Sequence, residues 1–153
     1  MKNKSIFLGL IGIVLICIIA TGCIFYNVLD PEDFKKHFED LGYTISDKET
    51  GKYEANTYLV AKKDDSSFDI LYYEFDTEVD AKKAYQDYKE NIGNYITSNS
   101  KNKETSGAVL TKIVAVSDKE YIVISRVKKT LIFIAGTNDV SGEIDNILEE
   151  IKY

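Results

Sequence analysis

The sequence predicts an α+β domain: an antiparallel β-sheet with helices packed on one face, in the order helix, strands, helix, strands, helix. Three observations carry this expectation. Three segments place apolar residues at helical spacing behind acidic or capping residues, β-branched and aromatic runs fill the chain between them, and the last three runs are separated only by Ser117-Asp118-Lys119 and Lys128-Lys129. Turns that short join neighbouring strands antiparallel. An amphipathic helix has one apolar stripe and needs one partner surface, so a sheet covered by helices is the economical arrangement.

The first helix is expected over residues 31 to 41. Asp30 offers an N-cap, Pro31 occupies the first helical position and Glu32 and Asp33 face the positive end of the helix dipole, while Phe34, Phe38 and Leu41 recur at helical spacing before Gly42. A short strand begins at Tyr43-Thr44-Ile45, and Glu49 to Lys52 reads as a turn. Tyr53 to Lys62 is rich in strand formers, and Phe68 to Phe75 is a strongly apolar strand. The second helix opens at Asp76-Thr77, with Asp80 approximating a capping box and Val79, Ala81, Ala84, Tyr85, Tyr88 and Ile92 as its apolar face; Gly93 ends it. Asn94 to Gly107 is polar throughout and reads as a loop. Strands follow at Val109 to Val116, Tyr121 to Val127 and Leu131 to Ala135, and a last helix carries Val140, Ile144, Ile147, Leu148 and Ile151. Twice an apolar strand runs through an Asp- or Asn-bearing turn into an amphipathic helix, at Phe75 to Ala81 and Ala135 to Ile144, a pseudo-repeat of pattern and not of sequence.

The N-terminus has a different character. Lys2 and Lys4 precede an almost wholly apolar run from Ser5 to Ile19, which closes on Ala20-Thr21-Gly22 before Cys23. This is a secretory signal layout. At Cys23 it resembles the lipobox of bacterial-type lipoproteins, although Ala20 stands where those proteins most often carry leucine. The resemblance implies cleavage after residue 22 and lipidation of Cys23, with acyl chains such as palmitate as the anchor. The segment after the cysteine, Ile24 to Leu29, stays largely apolar, so Ile6 to Tyr26 also reads as an uncharged run of the roughly 20 residues that span a bilayer. Both readings place the remainder outside the cytoplasmic membrane, because the basic residues precede the apolar run. The expected organisation is 1–22 signal peptide or transmembrane anchor, 23–29 anchor and tether, and 30–153 one extracytoplasmic domain of a size suited to a single core.

The net charge of −6 becomes −8 once Lys2 and Lys4 are set aside with the leader. A basic footprint for phosphate backbones is absent, which argues against nucleic acid as partner. Cys17 and Cys23 both lie in the N-terminal part, so neither a disulfide nor a thiolate site is expected in the domain. His37 is the sole histidine and stands between Phe34 and Lys36 on one side and Phe38 on the other, where a helix residue is the plain reading; a zinc site would need partners that the composition withholds. The acidic groups Asp64-Asp65 and Asp76 to Asp80 lack the pattern of a calcium loop and read as a solvated turn and a helix cap. No Gly-x-Ser-x-Gly elbow occurs. No cofactor, metal or catalytic residue is expected.

The residues left as candidate contacts with a ligand or partner are Arg126, Tyr72, Tyr85, Tyr88 and Tyr95. Arg126 is the only arginine, and its planar fork suits bidentate carboxylate or phosphate contact, with a structural salt bridge as the plainer reading. The tyrosines could line a peptide or sugar groove, or simply pack. The expected function is a non-enzymatic, membrane-anchored binding or interaction domain whose partner is a protein, peptide or envelope polymer. The alternatives are a carboxylate-dependent hydrolase of envelope material, and an accessory subunit of a membrane complex held by an uncleaved transmembrane helix.

Overall fold

The computed structural model of the chain describes residues 28–49, 53–96 and 100–153. The leader, Cys17 and Cys23 lie outside the described residues, as do positions 50–52 of the expected turn and 97–99 of the expected loop. Among the described residues no helix is long and apolar enough to cross a membrane.

Local chemistry sets the helix ends. In α1 (Pro31–Asp40) the Asp30 carboxylate accepts from the Asp33 amide at 2.8 Å, with Pro31 opening the first turn. At the other end Gly42 turns left-handed at φ +83°; its amide donates to Glu39 and that of Tyr43 to Phe38. This is a Schellman closure, and its accompanying apolar contact is the edge-on packing of Tyr43 on Phe38 at 5.5 Å. α2 (Glu78–Glu90) starts on Thr77, whose hydroxyl accepts from the Asp80 amide and donates to the Asp80 carboxylate at 2.6 Å. It stops at Asn91, before a 3-10 turn over Ile92–Asn94. α3 (Ser141–Glu150) closes as α1 does, but with Lys152 at φ +60° in the glycine position, and the closure aims Tyr153 into the core. Asp30→Ala is expected to lower stability by about 1 kcal/mol in urea unfolding, because loss of the cap leaves the Asp33 amide without its acceptor.

The strands are β1 (Thr44–Asp47), β2 (Thr57–Lys62), β3 (Asp69–Glu74), β4 (Lys101–Ser106), β5 (Leu110–Val116), β6 (Glu120–Val127) and β7 (Thr130–Thr137). They form one sheet in the order β1-β2-β3-β7-β6-β5-β4, antiparallel throughout. The α+β class, the antiparallel sheet and the element order are as the sequence indicates. In the β6–β7 hairpin Lys128 takes φ +50°, the left-handed geometry that matches a two-residue loop to the twist of its strands. Two meanders, β1-β2-β3 and β5-β6-β7, meet at the β3–β7 ladder, where Tyr72 stands opposite Ile132.

One detail differs from expectation: the helices do not share a face. Phe34 and Phe38 of α1 and Ile144, Ile147, Leu148 and Ile151 beside α3 pack with Ile70, Tyr72, Ile132 and Ile134. Ala81, Ala84, Tyr85 and Tyr88 of α2 pack with Tyr73, Ile122, Ile124, Leu131 and Phe133. Successive strand residues point to opposite sides, so these are the two faces of the sheet. The physical reason lies in β3, β6 and β7, which are apolar at both odd and even positions and therefore leave two surfaces to be kept from water. α3 approaches β7 closely at Gly136, where a Cβ would stand 3.1 Å from Ile144 Cδ1 of the helix and 3.0 Å from Val140 Cγ2 at its start.

Two local expectations are corrected as well. Val79 is 59% exposed and not part of the apolar face of α2, since it lies in the first turn on the outer side. Residues 101–106, read as loop, form β4, whose six residues are all exposed. A strand without apolar residues carries no hydrophobic periodicity; its order comes from the ladder to β5.

Candidate functional site

β4 is held from one edge and one face. Lys101 to Ser106 pair in unbroken register with Val116 to Thr111 of β5. On the α2 side Glu104 accepts from the Tyr85 hydroxyl at 3.1 Å and from Lys89 Nζ at 2.6 Å, which fixes the strand to the helix. The Lys89 ammonium and the Tyr85 hydroxyl hold the Glu104 carboxyl below the usual carboxylate range. Burial, followed by the Glu104 carboxylate, raises the Tyr85 hydroxyl in turn.

The opposite face is a groove. Lys101, Lys103 and Thr105 alternate along β4 across from Val116, Val114 and Lys112 of β5, and cross-strand partners stand about 5 Å apart on the same face. The half-buried Val114 and Val116 make the floor. α3 forms the other wall, tied to the sheet where the Tyr121 hydroxyl donates to Asp145 Oδ1 at 2.6 Å. The groove encloses ≈ 550 Å³ and continues past Lys112 and Asp145 into a hollow of ≈ 490 Å³ reaching Leu110, Leu148 and Tyr153.

Lys112 is half-buried, and its Nζ donates to the main-chain oxygen of Tyr153 at 3.3 Å. Desolvation pulls its ammonium below the ordinary lysine range, with the Asp145 carboxylate acting in the opposite sense. Among the described residues no Asp or Glu carboxylate stands within 4 Å of the ammonium of Lys101, Lys103 or Lys112. Three cations therefore surround an apolar strip in a chain whose overall charge is negative. An anion entering the groove would gain Coulomb attraction from all three.

Compared with known protein families, curated proteins and solved structures, the chain matches none.

The residues singled out from sequence stand elsewhere. Arg126 is only 3% exposed; its guanidinium donates to the Lys128 carbonyl at 2.8 Å and to Thr111 Oγ1 at 3.1 Å, and among the described residues it forms no ion pair. It ties the β6–β7 hairpin to β5. Tyr72 is fully buried under α1, 4.7 Å from Phe34 between ring centres, and its hydroxyl donates to the Leu29 carbonyl at 2.7 Å. Tyr85 is spent on Glu104. Tyr88 is buried, stacked on Phe133 at 4.7 Å and hydrogen-bonded to the Tyr73 hydroxyl at 2.9 Å. Tyr95 alone is open, 43% exposed, with its ring 5.1 Å from Phe133. Tyr88 and Tyr95 share one aromatic cluster on the α2 face, whereas Tyr72 belongs to the opposite face.

A second cavity of ≈ 590 Å³ lies beside α2, lined by Glu54, Asp76, Asp80 and Asp87 among others. Its three aspartates are engaged within the fold: Asp76 accepts from Asn56 at 2.7 Å, Asp87 from the Tyr53 hydroxyl at 2.5 Å, and Asp80 from Thr77 and Lys83. The Thr77 hydroxyl and Lys83 ammonium hold Asp80 below the usual range, the opposite of what a general acid at neutral pH requires. Among the described residues no three His, Cys, Asp or Glu side chains are placed to hold a metal ion.

The groove lysines were missed because their segment reads as a polar loop. The one available signal was the period-two spacing of Lys101, Lys103 and Thr105 ahead of the alternating Leu110 to Val116.

Proposed function

We propose that the chain is a non-enzymatic binding module, fastened to the outer face of a membrane through its N-terminus, whose groove between β4–β5 and α3 captures an anionic partner. The observation that carries the reading is the trio of Lys101, Lys103 and Lys112 around Val114 and Val116, without an Asp or Glu ion-pair partner among the described residues, in a domain whose net charge of −8 otherwise repels anions. A cationic pocket on an acidic body concentrates one class of ligand and deflects the rest of the surface from it.

The anchor belongs to the same reading. Val28 and Leu29 pack against the core under α1 and α3, and Tyr72 grips the Leu29 carbonyl. Only the residues between Cys23 and Val28 separate the lipidated position from the folded body, and they can span at most about 18 Å. The module would be held against the bilayer, with two acyl chains supplying a stable attachment.

The test uses the full chain extracted into neutral detergent. Intact mass is expected to show loss of residues 1–22 and an added diacylglycerol, and Cys23→Ala to release the protein or leave it uncleaved. Calorimetric titration is expected to detect poly-glutamate and not poly-lysine, with binding weakened by salt. The double variant Lys101→Glu, Lys103→Glu should weaken poly-glutamate binding about tenfold or more. Equal affinity of the variant, or preference for poly-lysine, removes the groove as the site.

A further inference from the structure

We infer that the partner is an extended acidic polypeptide segment that adds a strand to the free edge of β4, with carboxylate side chains at alternate positions reaching Lys101 and Lys103. This rests on the groove as an anion site and goes beyond it by naming the partner's backbone and its side-chain period.

The edge itself points to a polypeptide. Among the described residues β4 ends the sheet and pairs with β5 on one side only, and it carries no bulge or proline over its whole length, so its outward amides and carbonyls stand in the regular spacing that another strand satisfies. Its position is rigid, because Glu104 fastens it to Tyr85 and Lys89 of α2. The other edge of the sheet, β1, spans only Thr44–Asp47. A flexible polyanion could neutralise the lysines, but only a peptide backbone also completes the ladder, the mode of recognition known as strand addition.

Side-chain chemistry then selects the strand. β4 offers no apolar residue, so a neutral hydrophobic strand gains little by lying beside it. Residues directly opposite in an antiparallel pair share a face, so positions facing Lys101 and Lys103 must be acidic and those facing Asn102 and Ser106 polar and uncharged. The half-buried Lys112, one strand further in, draws the same acidic side chains toward the groove floor.

The same lysines turn away the most abundant competitor, a second copy of this chain. A two-fold antiparallel pairing of β4 with itself keeps both groove faces on one side and brings residues of equal parity together. Lys103 then meets Lys103 or Lys101, or, in the register that sets it against Thr105, Glu104 meets Glu104; no register sets Lys103 against Glu104. Like charges directly opposite are destabilising. The edge is closed to itself and open to an acidic strand.

The experiment titrates the full chain in neutral detergent with a short alternating Glu-Thr peptide, with two versions N-methylated at alternate amides along one or the other edge, and with inorganic polyphosphate. The unmethylated peptide is expected to bind and to slow hydrogen exchange at outward-facing amides of β4. One N-methylated version should bind about tenfold or more weaker while the other keeps its affinity. The variant Lys101→Glu, Lys103→Glu should lose the Glu-Thr peptide and gain a Lys-Thr peptide of the same length, a swap that a misfolded variant would not produce. If both N-methylated peptides bind as well as the parent, or β4 exchange is unchanged, strand addition is overturned while the anionic groove stands. If polyphosphate and every acidic peptide fail to bind, the groove reading fails with it.

Discussion

Replacing Phe34 by alanine is expected to destabilise the domain by about 3–5 kcal/mol, the range for emptying a fully buried aromatic site. The ring has no exposed surface and lies 4.5 Å from Phe38 and 4.7 Å from Tyr72, centre to centre. It joins α1 to β3, and through the Tyr72 hydroxyl to Leu29 it also secures the segment that leads into α1. Neither neighbour can collapse into the void without giving up its own packing, which places the loss toward the upper part of the range. Against a total stability of roughly 5–15 kcal/mol such a loss is severe, and the melting midpoint of the full chain in neutral detergent should fall by roughly 10–20 °C. Val79→Ala on the exposed side of α2 is the control and should change stability by less than about 0.5 kcal/mol. Similar losses for the two variants would mean that Phe34 does not join α1 to the sheet.

Raising the pH is expected to unfold the domain steeply above pH 10. The ordinary tyrosine value is 10.0, and burial pushes the hydroxyls of Tyr72 and Tyr73 far above it and those of Tyr88 and Tyr153 up to about 12. The Tyr73 hydroxyl also shares its hydrogen bond with Tyr88, and that of Tyr153 with Thr130. An unfolded chain ionises these groups near pH 10 while the folded one holds their protons. The stabilisation is therefore intact below pH 10 and is lost as the pH rises toward the folded values. Each such tyrosine steepens the fall by about 1.4 kcal/mol per pH unit. Four of them together remove roughly 5–6 kcal/mol per unit once the unfolded groups are fully ionised, enough to exhaust a typical domain within one to two units. Lys112 acts with opposite sign: its folded value lies below 10.5, so the penalty for keeping it charged is relieved as the pH rises through that lower value. One lysine does not offset four tyrosines. Tyrosinate absorbance and far-ultraviolet circular dichroism should change together in one sharp step. Ionisation spread smoothly about pH 10 with the fold retained would contradict the burial of these rings.

Legibility from sequence followed burial. Helix starts were readable because Asp30, Pro31 and Thr77 act on amides within three residues of themselves, and the close of α1 was readable because Gly42 is the residue that a left-handed turn favours. The close of α3 was not, since Lys152 adopts the same geometry without the matching residue type. Arg126 was chosen for its rarity, yet its role as a clamp on the β6–β7 hairpin depends on Lys128 and Thr111 arriving from other parts of the chain. Among the tyrosines, spacing alone did not separate the open ring of Tyr95 from the enclosed one of Tyr72. The groove was least legible of all, because β4 lacks the alternation of polar and apolar residues by which a strand is recognised.

The order of elements, the helix caps, the antiparallel sheet and the acidity of the domain were decided along the chain itself, because they depend on neighbours a few residues apart or on composition. The division of the helices between two faces, the pinning of β4 by Glu104 and the gathering of Lys101, Lys103 and Lys112 over Val114 and Val116 were decided only by tertiary structure. Those relations join residues that the ladder and the core bring within a few ångströms across long stretches of sequence. No local preference encodes such a meeting; the need to cover both sides of β3, β6 and β7 does.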